Sequence, residues 1–221
     1  MDIEKNKDKF PHNVYERLQK KGFDTLRPSQ AKSVNNGLFK GKNLIVSTPT
    51  ASGKTLVAEL AFLNTVLNEE GKGVYIVPLK ALASEKYKTF QEDYPGLDIG
   101  KSSGDVDSED EYLADKDVII TTSEKFDSLL RHRTPWIKNI KAVIVDEIHL
   151  LNDPSRGPTL EIVLTLLKQY LETFQLIGLS ATIGNPEELS QWLDAELIED
   201  KWRPVELRKG IYRKGKITFE G

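Results

Sequence analysis

The stretch TPTASGKT at residues 48–55 decides how this chain folds. It follows an apolar run, NLIVS at 43–47, and opens LVAELAFLNTVLN at 56–68, whose apolar spacing is that of a helix. A loop of small residues between a strand and a helix lets backbone N–H groups wrap a phosphate, and the helix N-terminus adds positive potential. Gly53 permits close approach. Lys54 is placed to reach the β and γ phosphates of a nucleotide as a point charge, and the Thr55 hydroxyl to ligate magnesium. Thr48, Pro49, Thr50, Ala51 and Ser52 form the rest of the cradle. Thr48 stands where the strict G-x-x-x-x-G-K-[ST] pattern has its first Gly, so on the pattern alone a plain turn before a helix remains the alternative.

Moving outward, apolar runs of strand length recur at 43–47, 73–77, 97–101, 117–121, 142–146 and 175–180. Most are continuous Val/Ile/Leu runs, which implies strands buried on both faces in a parallel sheet. Between them lie helical patterns at 54–68, 80–93, 108–114, 123–131, 158–173 and 186–194, with Ser123 and Asn185 as caps. Two more helices, at 13–21 and 28–39, precede the first strand, and Gly22 and Gly41 read as their stop signals. The expected class is therefore α/β, a mainly parallel sheet with helices on both faces, a helical N-terminal preface and a short extended C-terminal segment. That last segment, from 201 to 216, carries seven Lys or Arg against one acid, Glu206. It reads as an edge hairpin, an interdomain connector or a nucleic-acid contact. The acidic stretch at 105–117 is assigned no function.

A second informative piece is VIVDEIH at 143–149, where an apolar strand ends in two carboxylates. In the same sheet these carboxylates come beside the phosphate loop. Asp146 would then hold magnesium, and Glu147 would orient and polarise the water that attacks the γ phosphate. Taken alone, an acid pair after a strand is as readily a cap for the next helix.

Composition removes other classes. The 221 residues are 38% hydrophobic, about 45% once the 15 Gly are included, as in ordinary globular domains. The net charge of -3 gives no bulk attraction to phosphate backbones, so a nucleic-acid site must be local. Without Cys there is no disulfide frame or thiolate chemistry, and three scattered His leave little for a metal cage. The charged start MDIEKNKDKF and the lack of 18 consecutive apolar residues point to a soluble, intracellular, cytoplasmic protein with no membrane partner.

The ordered set FDTLRPSQ (23–30), TPTASGKT, VPLKALASEK (77–86), SGD (103–105), TTSEKFDSLLR (121–131), DEIHLL (146–151) and LSATIGN (179–185) resembles a known family. It looks like the first RecA-like motor domain of a superfamily 2 helicase, in the Ski2-like branch. Within that branch it is most similar to the archaeal DNA helicases of stalled forks and Holliday-junction migration. The match runs through nearly the whole chain, and in that family Thr or Ala at the position of Thr48 is usual. The resemblance implies a RecA-like P-loop domain using ATP and Mg2+, with Lys54, Asp146 and Glu147 catalytic and Thr55 and Asp146 on the metal. It implies that Gln30 reads adenine, whose mixed donor and acceptor edge an amide matches, with Phe23 and Pro28 shaping the base pocket. It implies that Ser180, Ala181 and Thr182 couple hydrolysis to strand movement, with His149 as their contact. WRPV at 202–205 resembles the strand leading to a second RecA-like domain, so residues 1–200 are expected to form the motor domain and 201–221 its exit.

Nucleic-acid contacts are expected at the C-terminal ends of strands, from Pro78, Leu79, Lys80, Ala81, Gly104, Thr121, Thr122 and Ser123, reading backbone rather than sequence. Arg131, Arg133, Lys138 and Lys141 form either an extra track or an ordinary basic surface. The expected partner is single-stranded or forked DNA, with RNA as the alternative. Since no Q-x-x-G-R-x-G-R-like motif follows LSATIGN, the chain alone is expected to bind ATP weakly, to hydrolyse it very slowly and to unwind nothing. A self-contained kinase would need an Arg-rich lid, a small GTPase an N-K-x-D element, and a pure nucleic-acid module would not need the phosphate loop.

Overall fold

The computed structural model describes residues 1–49, 52–68, 71–104, 111–181, 185–202, 210–213 and 215–219. Thr50, Ala51 and Thr182, and parts of the SGD and WRPV motifs, lie outside these residues. In chain order the helices are α1 His12–Lys20, α2 Pro28–Asn35, α3 Lys54–Leu67, α4 Lys80–Asp93, α5 Ser123–Arg131, α6 Gly157–Tyr170 and α7 Pro186–Leu193. The strands are β1 Leu44–Ser47, β2 Lys72–Val77, β3 Ile99–Ser102, β4 Val118–Thr122, β5 Ile140–Val145, β6 Gln175–Ser180 and β7 Glu196–Glu199, followed by β8 Gly210–Arg213 and β9 Lys216–Phe219.

Seven strands form one sheet in the order β3-β4-β2-β5-β6-β1-β7. Every pairing in it is parallel. The continuous apolar runs are explained by what covers them. Leu44, Val46, Tyr75, Val77, Ile144 and Ile177 pack with residues of α1 to α4 in one core, whereas Ile45, Val74, Ile76, Val143, Val145 and Leu176 pack with α5, α6 and α7 in another. Alternate residues of each strand thus feed opposite faces, and both faces are dry. Gly178 in β6 is required by this packing, because a Cβ there would lie 2.6 Å from Ile45 Cδ1 and 2.7 Å from Ile148 Cδ1.

The N-terminal preface is pinned to the same core. The Met1 ammonium donates to the Leu26 carbonyl at 2.7 Å, and Ile3 and Val14 are fully buried. Among the described residues no helix is long and apolar enough to cross a membrane.

Several expectations are corrected in detail. β7 has a sequence too short and acidic to be read as a strand, but it pairs in parallel with β1. α2 ends at Asn35, with Gly37 at φ 104°, and Gly41 closes only a short 3-10 turn over Leu38–Lys40. The helix expected at 108–114 is, in its described part, a 3-10 turn at Glu111–Asp115. Thr122 rather than Ser123 caps α5, its Oγ1 accepting from Lys125 N at 3.4 Å. Asn185 makes no capping bond to the backbone of α7; its amide donates to Glu188 Oε2 at 2.6 Å. The basic tail does form extended structure, an antiparallel β8–β9 hairpin whose Ile211, Tyr212, Ile217 and Phe219 are exposed.

Candidate functional site

The loop after β1 is held by its own small side chains. Thr48 Oγ1 and Ser52 Oγ share a hydrogen bond at 2.6 Å with both residues buried, and Ser52 N donates to the Pro49 carbonyl at 3.3 Å. Gly53 precedes α3 at φ 87°, a conformation a side chain would strain. Its carbonyl accepts from Gln30 Nε2 at 2.9 Å, while Gln30 Oε1 accepts from Arg27 N at 2.8 Å. Gln30 is therefore 4% exposed and couples α2 to the turn that opens α3. Pro28 opens α2 beside it, and Phe23 packs partly buried against the core with the Lys21 ammonium 6.0 Å from its ring.

Lys54, the first residue of α3, donates through Nζ to the Ser180 carbonyl at 2.8 Å. Burial holds this ammonium below the usual lysine range, and the carboxylates of Glu147 and Asp146 pull the other way. Both acids follow β5. Asp146 N donates to the Ile76 carbonyl at 2.8 Å, Asp146 Oδ1 accepts from Glu147 N at 3.1 Å, and Asp146 Oδ2 accepts from the Tyr75 hydroxyl at 3.2 Å. Tyr75 is fully buried, and burial together with Asp146 pushes its phenol well above the ordinary range, so it acts only as a donor here. Glu147 lies at φ 52°, ψ 45°, one of three non-glycine residues described at positive φ. Such a turn costs on the order of 1–2 kcal/mol, and strain of this kind gathers at working sites.

His149 joins these acids to β6. Its Nδ1 lies 3.3 Å from Glu147 Oε2 and 3.3 Å from Ser180 Oγ. The Ser180 hydroxyl already donates to the Ala181 carbonyl at 2.6 Å, so its oxygen can only accept from His149. The imidazole consequently carries its proton on Nδ1, shared between a carboxylate and a hydroxyl. The structure thus brings Lys54, Asp146, Glu147, His149 and Ser180 together at the C-terminal ends of β1, β5 and β6, where ligands of open α/β sheets bind. Thr55 Oγ1 and the Asp146 carboxylate are hard oxygen donors of the kind magnesium takes, and Asp146 is already oriented by Tyr75 and the Glu147 amide, so the residues fit that ion.

The residues expected to meet nucleic acid divide in two. Leu79, Lys80 and Ala81 are exposed at the start of α4, Pro78 is half-buried, and Gly104 is exposed with open space around it. Thr121, Thr122 and Ser123 are buried. The Thr121 hydroxyl donates to the Thr122 carbonyl at 3.3 Å and Thr122 caps α5, so neither is presented to a strand in this arrangement. A narrow crevice nevertheless runs from Pro78 and Ser123 to Asp146 and Glu147, with Arg156 in its wall. Sequence reasoning passed over Tyr75, Lys86 and Arg156. For Tyr75 a signal was present, because a tyrosine in a strand buried on both faces must find a partner for its hydroxyl.

Comparison with known proteins adds relatives. A family model described as DEAD/DEAH box helicase matches residues 27–189. The ATP-dependent DNA helicase Hel308 of Pyrococcus horikoshii is 51% identical over 213 residues, covering 96% of this chain and 29% of that protein. Hel308 of Methanocaldococcus jannaschii is 55% identical over 214 residues, covering 93% of this chain and 18% of that protein. The chain therefore spans less than a third of the length of these relatives. Among solved structures, the DUF1998 helicase MrfA bound to DNA and AMPPNP superposes with a TM-score of 0.75 at 26% identity, over 88% of this chain and 30% of that one. The Mycobacterium smegmatis helicase Lhr bound to ssDNA and AMP-PNP gives 0.74 at 30% identity, over 85% and 27%.

Proposed function

The chain belongs to the DEAD/DEAH box helicase family, and on that premise we propose that it is the ATP-binding motor half of an ATP-dependent DNA helicase of the Ski2-like branch. Residues 1–200 are the RecA-like motor domain, and 201–221 lead toward a second such domain that would close the site. The observation that carries this reading is the convergence of Lys54, Asp146, Glu147, His149 and Ser180 at three neighbouring strand ends. DNA is favoured as the partner because the Hel308 relatives are named DNA helicases. A cytoplasmic setting belongs to the same reading.

In this reading the phosphate loop amides and Lys54 bind the β and γ phosphates, and Gln30, its amide held between Arg27 N and the Gly53 carbonyl, would meet the adenine edge by exchanging those bonds. Thr55 and Asp146 hold magnesium, which supplies charge neutralisation at the phosphates. Glu147 orients the attacking water and accepts its proton, with His149 Nδ1–H fixing the carboxylate. His149 passes the position of that carboxylate to Ser180, whose carbonyl also holds Lys54. A phosphate that draws Lys54 away therefore releases one of the two bonds to the Ser180 carbonyl, while the hydroxyl of the same residue answers to His149. Leu79, Lys80, Ala81 and Gly104 hold the strand backbone.

Nucleotide binding to the 221-residue chain, followed with a fluorescent ATP analogue and Mg2+, tests the site. Saturable binding that Lys54→Ala abolishes is expected, and binding indifferent to that change would overturn the reading. Turnover is expected to be slow. A typical rate of about 10 per second falls by about 10³ or more without a transition-state arginine, so several turnovers per second from this chain would contradict the two-domain scheme.

A further inference from the structure

Lys86 lies in the middle of α4, one and a half turns beyond the exposed residues Leu79 to Ala81. Its Nζ is 3.4 Å from Thr55 Oγ1, the hydroxyl read above as a magnesium ligand. It is partly buried, 5.7 Å from the ring centroid of Tyr75 and 6.0 Å from that of Phe90. Tyr75 is the residue whose hydroxyl orients the other metal ligand, Asp146. Among the described residues no carboxylate lies within ion-pair distance of Lys86, although Glu59, one turn along α3 from Thr55, feels its charge. The ammonium is thus held beside the site by one long hydrogen bond and two aromatic faces.

We propose, resting on the nucleotide reading above, that Lys86 is a positioning residue that competes with the divalent cation for the Thr55 hydroxyl and so sets how much metal the site requires. The ammonium and a Mg2+ ion bring charge of the same sign to the same oxygen, and in a partly desolvated site that repulsion is screened poorly. Lys86 also offers positive charge to a nucleotide phosphate when metal is scarce. Its place on α4 puts this control on the helix that begins at the strand-facing residues, so a shift of α4 changes the metal requirement.

The test measures affinity for a fluorescent ADP analogue across a Mg2+ titration, in the wild-type 221-residue chain and in Lys86→Met and Lys86→Arg. Mn2+ uptake with ADP, read by electron paramagnetic resonance, gives a second metal readout. For Lys86→Met the Mg2+ concentration at half-effect is expected to fall about three- to tenfold, while affinity in EDTA weakens. Lys86→Arg, which keeps the charge, should stay within about twofold of wild type. An unshifted or raised midpoint in a folded Lys86→Met would overturn the proposal, since a lysine that merely packs against Tyr75 and Phe90 would change thermal stability and not the metal midpoint. Should Lys86→Met not fold, Lys86→Gln serves under the same criteria. A wild-type chain that binds no nucleotide at any Mg2+ concentration would overturn the nucleotide reading and this proposal with it. Wild-type binding with an unshifted variant overturns the role of Lys86 alone.

Discussion

The Lys54 ammonium and the Ser180 carbonyl are joined at 2.8 Å, tying the phosphate loop to the end of β6. The same carbonyl accepts from Thr48 N at 3.2 Å, so it stays satisfied if Lys54 is replaced. Because burial disfavours the Lys54 ammonium, Lys54→Met should leave the thermal midpoint unchanged or raise it. Nucleotide affinity should fall at least about tenfold, the usual weight of a charge-assisted bond. Calorimetric melting and an equilibrium binding titration on the same preparation check both halves.

Glu147 and Asp146 are adjacent but differently placed, and they should separate binding from chemistry. Glu147→Gln keeps the size of the side chain near His149 Nδ1 but removes the proton acceptor. We expect nucleotide affinity within a few-fold of wild type and turnover lower by about 10²-fold or more, the range of general-base catalysis. Single-turnover hydrolysis of radiolabelled ATP is the measurement, and equal loss of affinity would count against the assignment.

Gly53 should resist replacement for two reasons. Its φ is 87°, and an added Cβ would lie 2.5 Å from Gln30 Nε2. Gly53→Ala is expected to cost about 1–3 kcal/mol in denaturant unfolding and to weaken nucleotide binding. The unfolding cost, though not the binding loss, should shrink when Gln30→Ala is added, because the nearest clash partner is then gone.

A pH dependence resides behind the site. Glu59 is buried on α3, accepts from the Tyr94 hydroxyl and lies 3.9 Å from Lys21. Burial raises its carboxyl above the ordinary range, opposed by Tyr94 and Lys21. A raised acid contributes stability that is fully present below the unfolded carboxylate range and is lost as pH rises through the folded value. Glu59→Gln removes that loss, so its stability relative to wild type should climb from acid toward neutral pH. Denaturation midpoints measured in parallel at several pH values check the sign. A Glu59→Gln advantage that shrinks with rising pH would contradict it.

Much of this was legible because it is local. The runs LIVS and VYIV announce buried strands, and GKT before an apolar helix announces the loop. What escaped was set by tertiary contacts. ELIE at 196–199 carries two acids in four residues and becomes a strand only because the edge of β1 is open to it. Thr122 and Ser123 have similar capping chemistry, and the backbone decides between them, because Thr122 is extended at φ -95°, ψ 161° while Ser123 is already the first residue of α5. The bond of Lys54 to the Ser180 carbonyl joins residues 126 apart in sequence, beyond the reach of any spacing rule, whereas the meeting of His149 with Ser180, 31 apart, was legible only through the family resemblance.

The neighbours of β1 have a consequence for biogenesis. Residues 44–47 leave the ribosome early, yet both strands they pair with, 175–180 and 196–199, come near the end of the sheet-forming sequence. Until those strands emerge, LIVS is an apolar segment with two open edges, the kind of surface that chaperones cover and that aggregates when left bare. The loop at its end cannot be held in place earlier. A chain stopped anywhere before β6 therefore leaves both edges of β1 bare, and the strand that comes first in this sheet's sequence is among the last secured.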